Sequence, residues 1–320
     1  MVKIGGEMKI LVSGAGGFVG SHLVKYLKRR KHYVVGVDIK KPEFSPSEAD
    51  EFLNADLRYP NLKIFQGVDE VYHLAADMGG IGYIETHRAD ITFNNTMIDM
   101  LTLKACQEAK VKKFLFTSSA CVYPASLQSS NKAVYLREKD AYPADCEDGY
   151  GWEKLMMERT CLSFAKDYGM KIYLPRFHNI YGPEGTYDGG KEKSPAALCR
   201  KTAKETEEIE IWGDGEQTRS YCYIDDCVEA LYLLMQSDYH EPLNIGTDRL
   251  VSINQLVDII EKVAKKKLLR KYNFSAPRGV AGRNADISKA QELLQWNPST
   301  SLEEGIEKTY LWINSQIYQS

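Results

Sequence analysis

The chain has 320 residues, with 41 Lys and Arg against 44 Asp and Glu, for a formal net charge of -3. Hydrophobic residues make up 43% and charged residues 27%, which excludes dominant disorder because there is enough apolar surface to bury a core. No apolar run approaches the roughly 18 residues of a membrane helix, and no basic excess marks a nucleic-acid binder.

The length suits about two domains, or one large α/β unit with a second lobe. Met1 to Glu7 is polar and Gly-bearing with no apolar signal core, and Met8 reads as an alternative start. The seven cysteines, at 106, 121, 146, 161, 199, 222 and 227, are odd in number and form no CxxC pair. The six histidines fall in no ligand spacing, so no metal is expected. A reduced, cytoplasmic setting fits such thiols.

In chain order, 9–13 (KILVS) predicts a strand and 14–20 a glycine turn. Residues 22–30 predict a helix, with Leu23, Tyr26 and Leu27 on one face. A second strand, 33–37, ends at Asp38, a third precedes Asp56, and a fourth lies within 68–76 around VYHLAA. Then come a long helix over 94–109, a strand over 113–118, a second long helix over 149–168 and a strand over 171–176. Alternating β and α with short connections predicts a doubly wound parallel sheet.

After Tyr181-Gly182-Pro183, Gly, Pro and charge rise through Glu184 to Ser194. A strand over 208–212, a turn at Gly213-Asp214-Gly215 and helices over 224–235, 253–265 and 301–313 follow. The fold class is therefore α/β: a Rossmann sheet domain over 8–182 and a smaller interleaved lobe over 183–320, some of whose elements return to the first domain.

Gly14-Ala15-Gly16-Gly17-Phe18-Val19-Gly20 stands between a strand and a helix. Glycines let the backbone turn tightly and approach a pyrophosphate, and the next helix N-terminus offers it free N–H groups. Asp38 ends the following strand 18 residues after Gly20, where a carboxylate accepts ribose hydroxyls, the NAD pattern. Lys40 and Lys41 are read as solvated, which favours NAD over NADP. Asp56-Leu57 is placed to meet the adenine edge. The small residues of Leu74-Ala75-Ala76 let a cofactor pass over the sheet's carboxyl edge, with Ala75 in contact.

Tyr150 and Lys154 lie four apart on a predicted helix, so they share a face. A nearby ammonium favours tyrosinate, which equips Tyr150 as a general base during hydride transfer. Thr117-Ser118-Ser119-Ala120-Cys121-Val122-Tyr123 ends a parallel strand and places a Ser hydroxyl where a third group belongs.

Together GAGGFVG, Asp38, HLAA, SSACVY and YGWEK resemble the extended short-chain dehydrogenase/reductase family, which holds nucleotide-sugar epimerases and dehydratases. By that resemblance Ser119, Tyr150 and Lys154 form the catalytic triad. Pro175 to Pro183 (PRFHNIYGP) looks like the family's nicotinamide and sugar segment, with Asn179 on the substrate.

Ala76-Asp77-Met78-Gly79-Gly80, Ser119-Ala120-Cys121 and Gly189 to Ala197 (GGKEKSPAA) resemble the branch that epimerises GDP-mannose at C3 and C5. That resemblance implies C4 oxidation by bound NAD, inversion at C3 and C5 by Cys121 and Lys193, and return of hydride to C4, giving GDP-L-galactose, GDP-L-gulose or both. A thiol near ~8.5 and an ammonium near ~10.4 suit an acid/base pair if proximity draws both toward neutrality. Gly79, Ala120, Glu192, Lys201, Gln217, Arg219 and Arg283 look like further substrate contacts, the arginines for phosphate. His178 is read as packed rather than reactive.

A C4-epimerase would need the triad and NAD without Cys121 or Lys193. A 4,6-dehydratase would want Asp-Glu where Ala120-Cys121 stand. A non-catalytic NAD module would need neither Tyr150 nor Lys154. The two long helices resemble the family's dimer helices, which implies a homodimer.

Overall fold

The computed structural model describes residues 8–318, and the polar start Met1 to Glu7 lies outside the described residues. Strands β1 (Lys9–Ser13), β2 (Tyr33–Asp38), β3 (Glu51–Asn54), β4 (Glu70–His73), β5 (Lys113–Phe116), β6 (Ser118–Ser119) and β7 (Lys171–Phe177) come from the first half of the chain. The later strands are β8 (Ile180–Tyr181), β9 (Glu208–Trp212), β10 (Thr218–Arg219), β11 (Cys222–Tyr223), β12 (Pro242–Ile245), β13 (Val251–Ser252), β14 (Leu269–Asn273) and β15 (Gly282–Arg283). The main sheet runs β12-β7-β5-β4-β1-β2-β3, with β6 beside β7, and every pairing in it is parallel.

A parallel sheet must be covered on both faces. Ile10, Val12, Val34, Tyr72 and Leu115 point into one apolar cluster, while Leu11, Val35, Val71, Phe114 and Phe116 point into another. Helices α1 (Phe18–Arg29) and α6 (Ile224–Met235) cover the first face. On the second, α3 (Arg88–Glu108) and α4 (Gly149–Tyr168) pack side by side, preceded in sequence by the short α2 (Ile81–Thr86). The remaining helices are α5 (Ser194–Lys204), α7 (Ile253–Ala264), α8 (Ser288–Leu294) and α9 (Leu302–Tyr318).

The structure differs from the sequence reading in three local places, two of them with a physical cause in the sequence or pairing. Helix α5 occupies a stretch to which the sequence reading gave no element; Pro195 fits its first turn, where no N–H is needed, and Lys201 and Lys204 favour its last. Strand β12 is only four residues, PLNI, and joins β7 through a long-range pairing that no local period announces. Helix α3 starts at Arg88, before the predicted 94. Among the described residues, no helix is long and apolar enough to cross a membrane.

Helix α4 is capped by the Asp148 carboxylate, which accepts the Gly151 N–H at 2.9 Å. Asp148→Ala should lower unfolding stability by about 1 kcal/mol in a denaturant titration.

Candidate active site

β1 enters a turn, and α1 begins at Phe18 with Gly17 at its N-cap. No side chain caps this end and no acidic residue lies in its first turn, so its N–H groups and dipole face an anion site. Val19 and Phe18 pack on the core beneath it, and Gly20 abuts the Gly14 carbonyl. Gly14 has φ +72°, and a Cβ there would lie 2.8 Å from the Ala75 amide nitrogen. Only Gly lets the chain leave β1 so close to the next strand's end.

Asp38 accepts the N–H of Gly16 at 2.9 Å and that of Lys40 at 3.1 Å. Burial still pushes its carboxyl above the ordinary range, a cost that further hydroxyl donors would relieve. Lys40 and Lys41 are exposed. The Asp56 carboxylate is taken up by Arg58 at 2.7 Å, and the Leu57 side chain is buried, so these two offer a cofactor mainly backbone.

The second half of the site forms at the ends of β6 and α4. The Ser119 hydroxyl accepts the Cys121 N–H at 3.2 Å and lies near enough to the Tyr150 phenol to favour its ionised form. Tyr150 packs against Ile84 and Ile91, with Cys121 at its side. Burial pushes its phenol well up, while Lys154 and Ser119 oppose this. The expected lowering by the ammonium is present, but desolvation outweighs it. Lys154 is 2% exposed and pairs with Asp99 at 3.0 Å.

Cys121 is the meeting point. The Arg283 Nη1 donates to its Sγ at 3.5 Å, and its charge is felt by Lys193, Arg219 and Tyr150. Lys193 precedes α5 on a loop held by the Gly80 N–H, which donates to the Lys191 carbonyl at 3.0 Å. Its side chain is open to solvent yet walled by protein, and this crowding lowers its ammonium below the usual lysine range, while Cys121 opposes the change. The direction matches the sequence reading. Desolvation is the cause, rather than the thiol.

Arg219 and Arg283 stand opposite each other on paired strands β10 and β15. Burial, then Arg283, lowers the Arg219 guanidinium to about 10. Two neighbouring cations of this kind fit a dianion.

The other predicted contacts divide. Gly79 abuts the Tyr83 ring, and Ala120 is buried beside Cys121. Asn179, at φ +46°, donates to the Ser220 carbonyl at 2.8 Å. Gln217 donates to the Trp212 carbonyl at 2.8 Å and leaves its own oxygen unpartnered. Glu192 is engaged by Arg200 at 3.0 Å and by the Gly190 N–H at 2.7 Å. Lys201 pairs with Glu210 at 2.9 Å. Neither is joined to the cluster around Cys121 by any of these bonds. His178 is fully buried on Asn244 at 2.9 Å, and burial lowers it to about 3, so it is a neutral packed ring. The sequence reading passed over His73, Asp99 and Glu153, which line the back of Lys154.

The model of the NAD dependent epimerase/dehydratase family matches residues 10–246. The chain belongs to this family. Among its relatives, a GDP-mannose 3,5-epimerase of Arabidopsis thaliana is 46% identical over 97% of this chain and 83% of its own length. One of Oryza sativa subsp. japonica is 45% identical over the same shares.

Solved epimerases share the fold. UDP-glucuronic acid 4-epimerase from Bacillus cereus, in complex with UDP-glucuronic acid and NAD, superposes with a TM-score of 0.83 at 32% identity, covering 97% of this chain and 100% of that one. UDP-glucose 4-epimerase from Thermotoga maritima gives 0.82 at 27%, with the same coverage. As a family member, the chain is an NAD-dependent epimerase.

A Cβ on Gly16 would run into the Lys40 carbonyl oxygen and lie 3.1 Å from the Asp38 carboxyl carbon. Gly16→Val should therefore purify folded by circular dichroism but carry little nicotinamide, read from nucleotide released on denaturation.

Proposed function

We propose that this chain epimerises GDP-mannose at C3 and C5. The observation that carries the reading is the convergence of Cys121 and Lys193 beside the Ser119–Tyr150–Lys154 group. A C4-epimerase needs only that last group. The name of the Arabidopsis and rice relatives supports the same conclusion.

The uncapped start of α1, the narrow exit at Gly14 and the carboxylate of Asp38 suit NAD, with the diphosphate on the helix and the ribose on Asp38. Bound there, NAD supplies the hydride acceptor for C4 and returns the hydride at the end.

Tyr150 takes the C4 hydroxyl proton, and Ser119 donates a hydrogen bond to the developing ketone. Lys154 stabilises the tyrosinate. The 4-ketone acidifies the protons on C3 and C5. Inversion requires one group to remove a proton from one ring face and another to deliver one to the opposite face. Cys121 and Lys193 fill these roles. Arg219 and Arg283 hold the substrate diphosphate, Asn179 and Gln217 bind near the sugar, and Gly79 and Ala120 admit the ring closely. Glu192 and Lys201 act from the rim of the same site.

The reading includes a homodimer in a reducing, cytoplasmic compartment. Helices α3 and α4 leave Phe93, Trp152 and Met156 exposed, apolar surface that a second copy would cover. All seven cysteines are free thiols, in keeping with that compartment.

Incubation with GDP-mannose and NAD in D2O should place deuterium at both C3 and C5, seen by NMR of the hexose. Cys121→Ala or Lys193→Ala should cut that exchange by about 10²–10⁴-fold while NAD reduction at C4 persists. Exchange that survives both substitutions would remove them as the acid/base pair.

An acid role for Lys193 requires its ammonium. Because its folded value is lowered, the alkaline limb of exchange should fall below the ~10.4 of free lysine. A limb at or above that value in the pH profile would exclude Lys193 as the acid.

A further inference from the structure

Behind Tyr150 lies a buried polar chain that the mechanism so far leaves unused. Lys154 Nζ sits 3.0 Å from Asp99 Oδ2 and 3.7 Å from Glu153 Oε2. The other Asp99 oxygen lies 2.9 Å from His73 Nε2, and His73 Nδ1 lies 2.7 Å from the Ser13 hydroxyl. One direction satisfies every member: Ser13 O–H donates to Nδ1, and Nε2–H donates to Asp99. Ser13 Oγ in turn accepts the N–H groups of Leu74 and Ala75 at 3.2 and 3.3 Å. The chain thus links the Lys154 ammonium to the turn that Gly14 abuts.

The charges decide the protonation. Asp99, Glu153, Lys154 and His73 are all buried. Two carboxylates against one ammonium would leave an uncompensated negative charge away from water, so one carboxyl keeps its proton. Asp99 has the close cation and the His73 donor. Burial opposes its ionisation, but Lys154 and His73 hold it well below the usual range. Glu153 has the longer contact, and neither of its oxygens completes a hydrogen bond of ordinary geometry. Burial, with Asp99 adding to it against the pull of Lys154, pushes Glu153 up to about 9. The other groups facing Lys154 are Tyr150 and Cys161 from α4 and the Phe116 ring, at 4.6 Å, from β5.

We propose that Asp99 is a positioning residue for Tyr150 and Lys154: it carries the one negative charge that keeps Lys154 an ammonium, while Glu153 stands by as its protonated neighbour. The inference rests on the proposed proton transfer at Tyr150. NAD reduction by GDP-mannose in the unaltered protein tests that reading separately.

The sign follows from the chain of charges. Without Asp99, burial draws the Lys154 ammonium down. Tyr150 then loses a cation that favoured tyrosinate, and its acid limb moves to higher pH. Glu153, freed of its anionic neighbour, ionises in partial replacement.

The experiment is single-turnover NAD reduction by the holoenzyme, followed by nicotinamide absorbance across pH. Asp99→Asn should move the acid limb up by about one unit, with a tenfold loss below it and recovery above it. Adding Glu153→Gln should move the limb further. An equal loss at every pH, or an unmoved limb, would overturn the proposal. A direct reading needs no variant: the intact holoenzyme should show a buried protonated-carboxyl band in its infrared spectrum near pH ~7 that is lost by pH ~10. Absence of that band at neutral pH overturns it equally, whether or not the variants fold.

Discussion

A lysine ammonium cannot stay buried without a counter-charge, and much of this site is arranged around that requirement. Lys154 meets it with Asp99. The pair ties α4 to α3, and through His73 and Ser13 it reaches β4 and β1. Removing one partner of such a pair typically costs about 3–5 kcal/mol, because the other charge is stranded. The two helices on this face of the sheet are therefore held in register by electrostatics as well as by the apolar contacts of Phe114, Met157 and Cys161. Ser13, at the far end of this chain, also accepts the N–H groups of the Leu74–Ala75 turn that Gly14 abuts.

The other side of the site is arranged in the opposite sense. Arg219, Arg283 and Lys193 gather around a single thiol, and Arg219 and Arg283 occupy paired positions on adjacent strands. Burial, and after it the like charge of Arg283, depresses the Arg219 guanidinium. In the proposed function, the substrate diphosphate offsets both effects. On that proposal, binding at the nucleotide end is linked to Cys121, since the Arg283 guanidinium that touches its sulfur is paired with Arg219. Preorganised charge of this kind does not reorient during reaction, so it favours the charged stages over bulk water.

What was legible in the sequence was local. The first strand, glycine turn and helix could be read because strand period, Gly spacing and helical period lie within a few residues of one another. Helix α4 and strand β9 fall where their patterns placed them. Strand β12 was invisible, because PLNI has no period of its own and gains its identity from pairing with β7. Helix α5 was masked by the glycines and charges before it. Cys121 and Lys193 came only through the family resemblance, and no spacing rule brings them together. Asp99 and His73 escaped for a related reason: each sits in an ordinary element, and only the stacking of α3 on α4 and the sheet makes them neighbours of Lys154.

The proximity of Cys121 to Tyr150 orders the proposed reaction. A negative charge on Cys121 raises the phenol further, so tyrosinate and thiolate are poorly tolerated together in this desolvated space. Oxidation at C4 ends with the proton on Tyr150, which is then neutral. The conflict between the two groups is gone at that moment, just as the 4-ketone makes the C3 and C5 protons acidic. Return of hydride requires Tyr150 to give its proton back, and a charged Cys121 would oppose the tyrosinate it leaves. Exchange at C3 and C5 is thus confined to the interval in which the ketone exists. A C4-epimerase, with no second base beside its tyrosine, has no need of such an interlock.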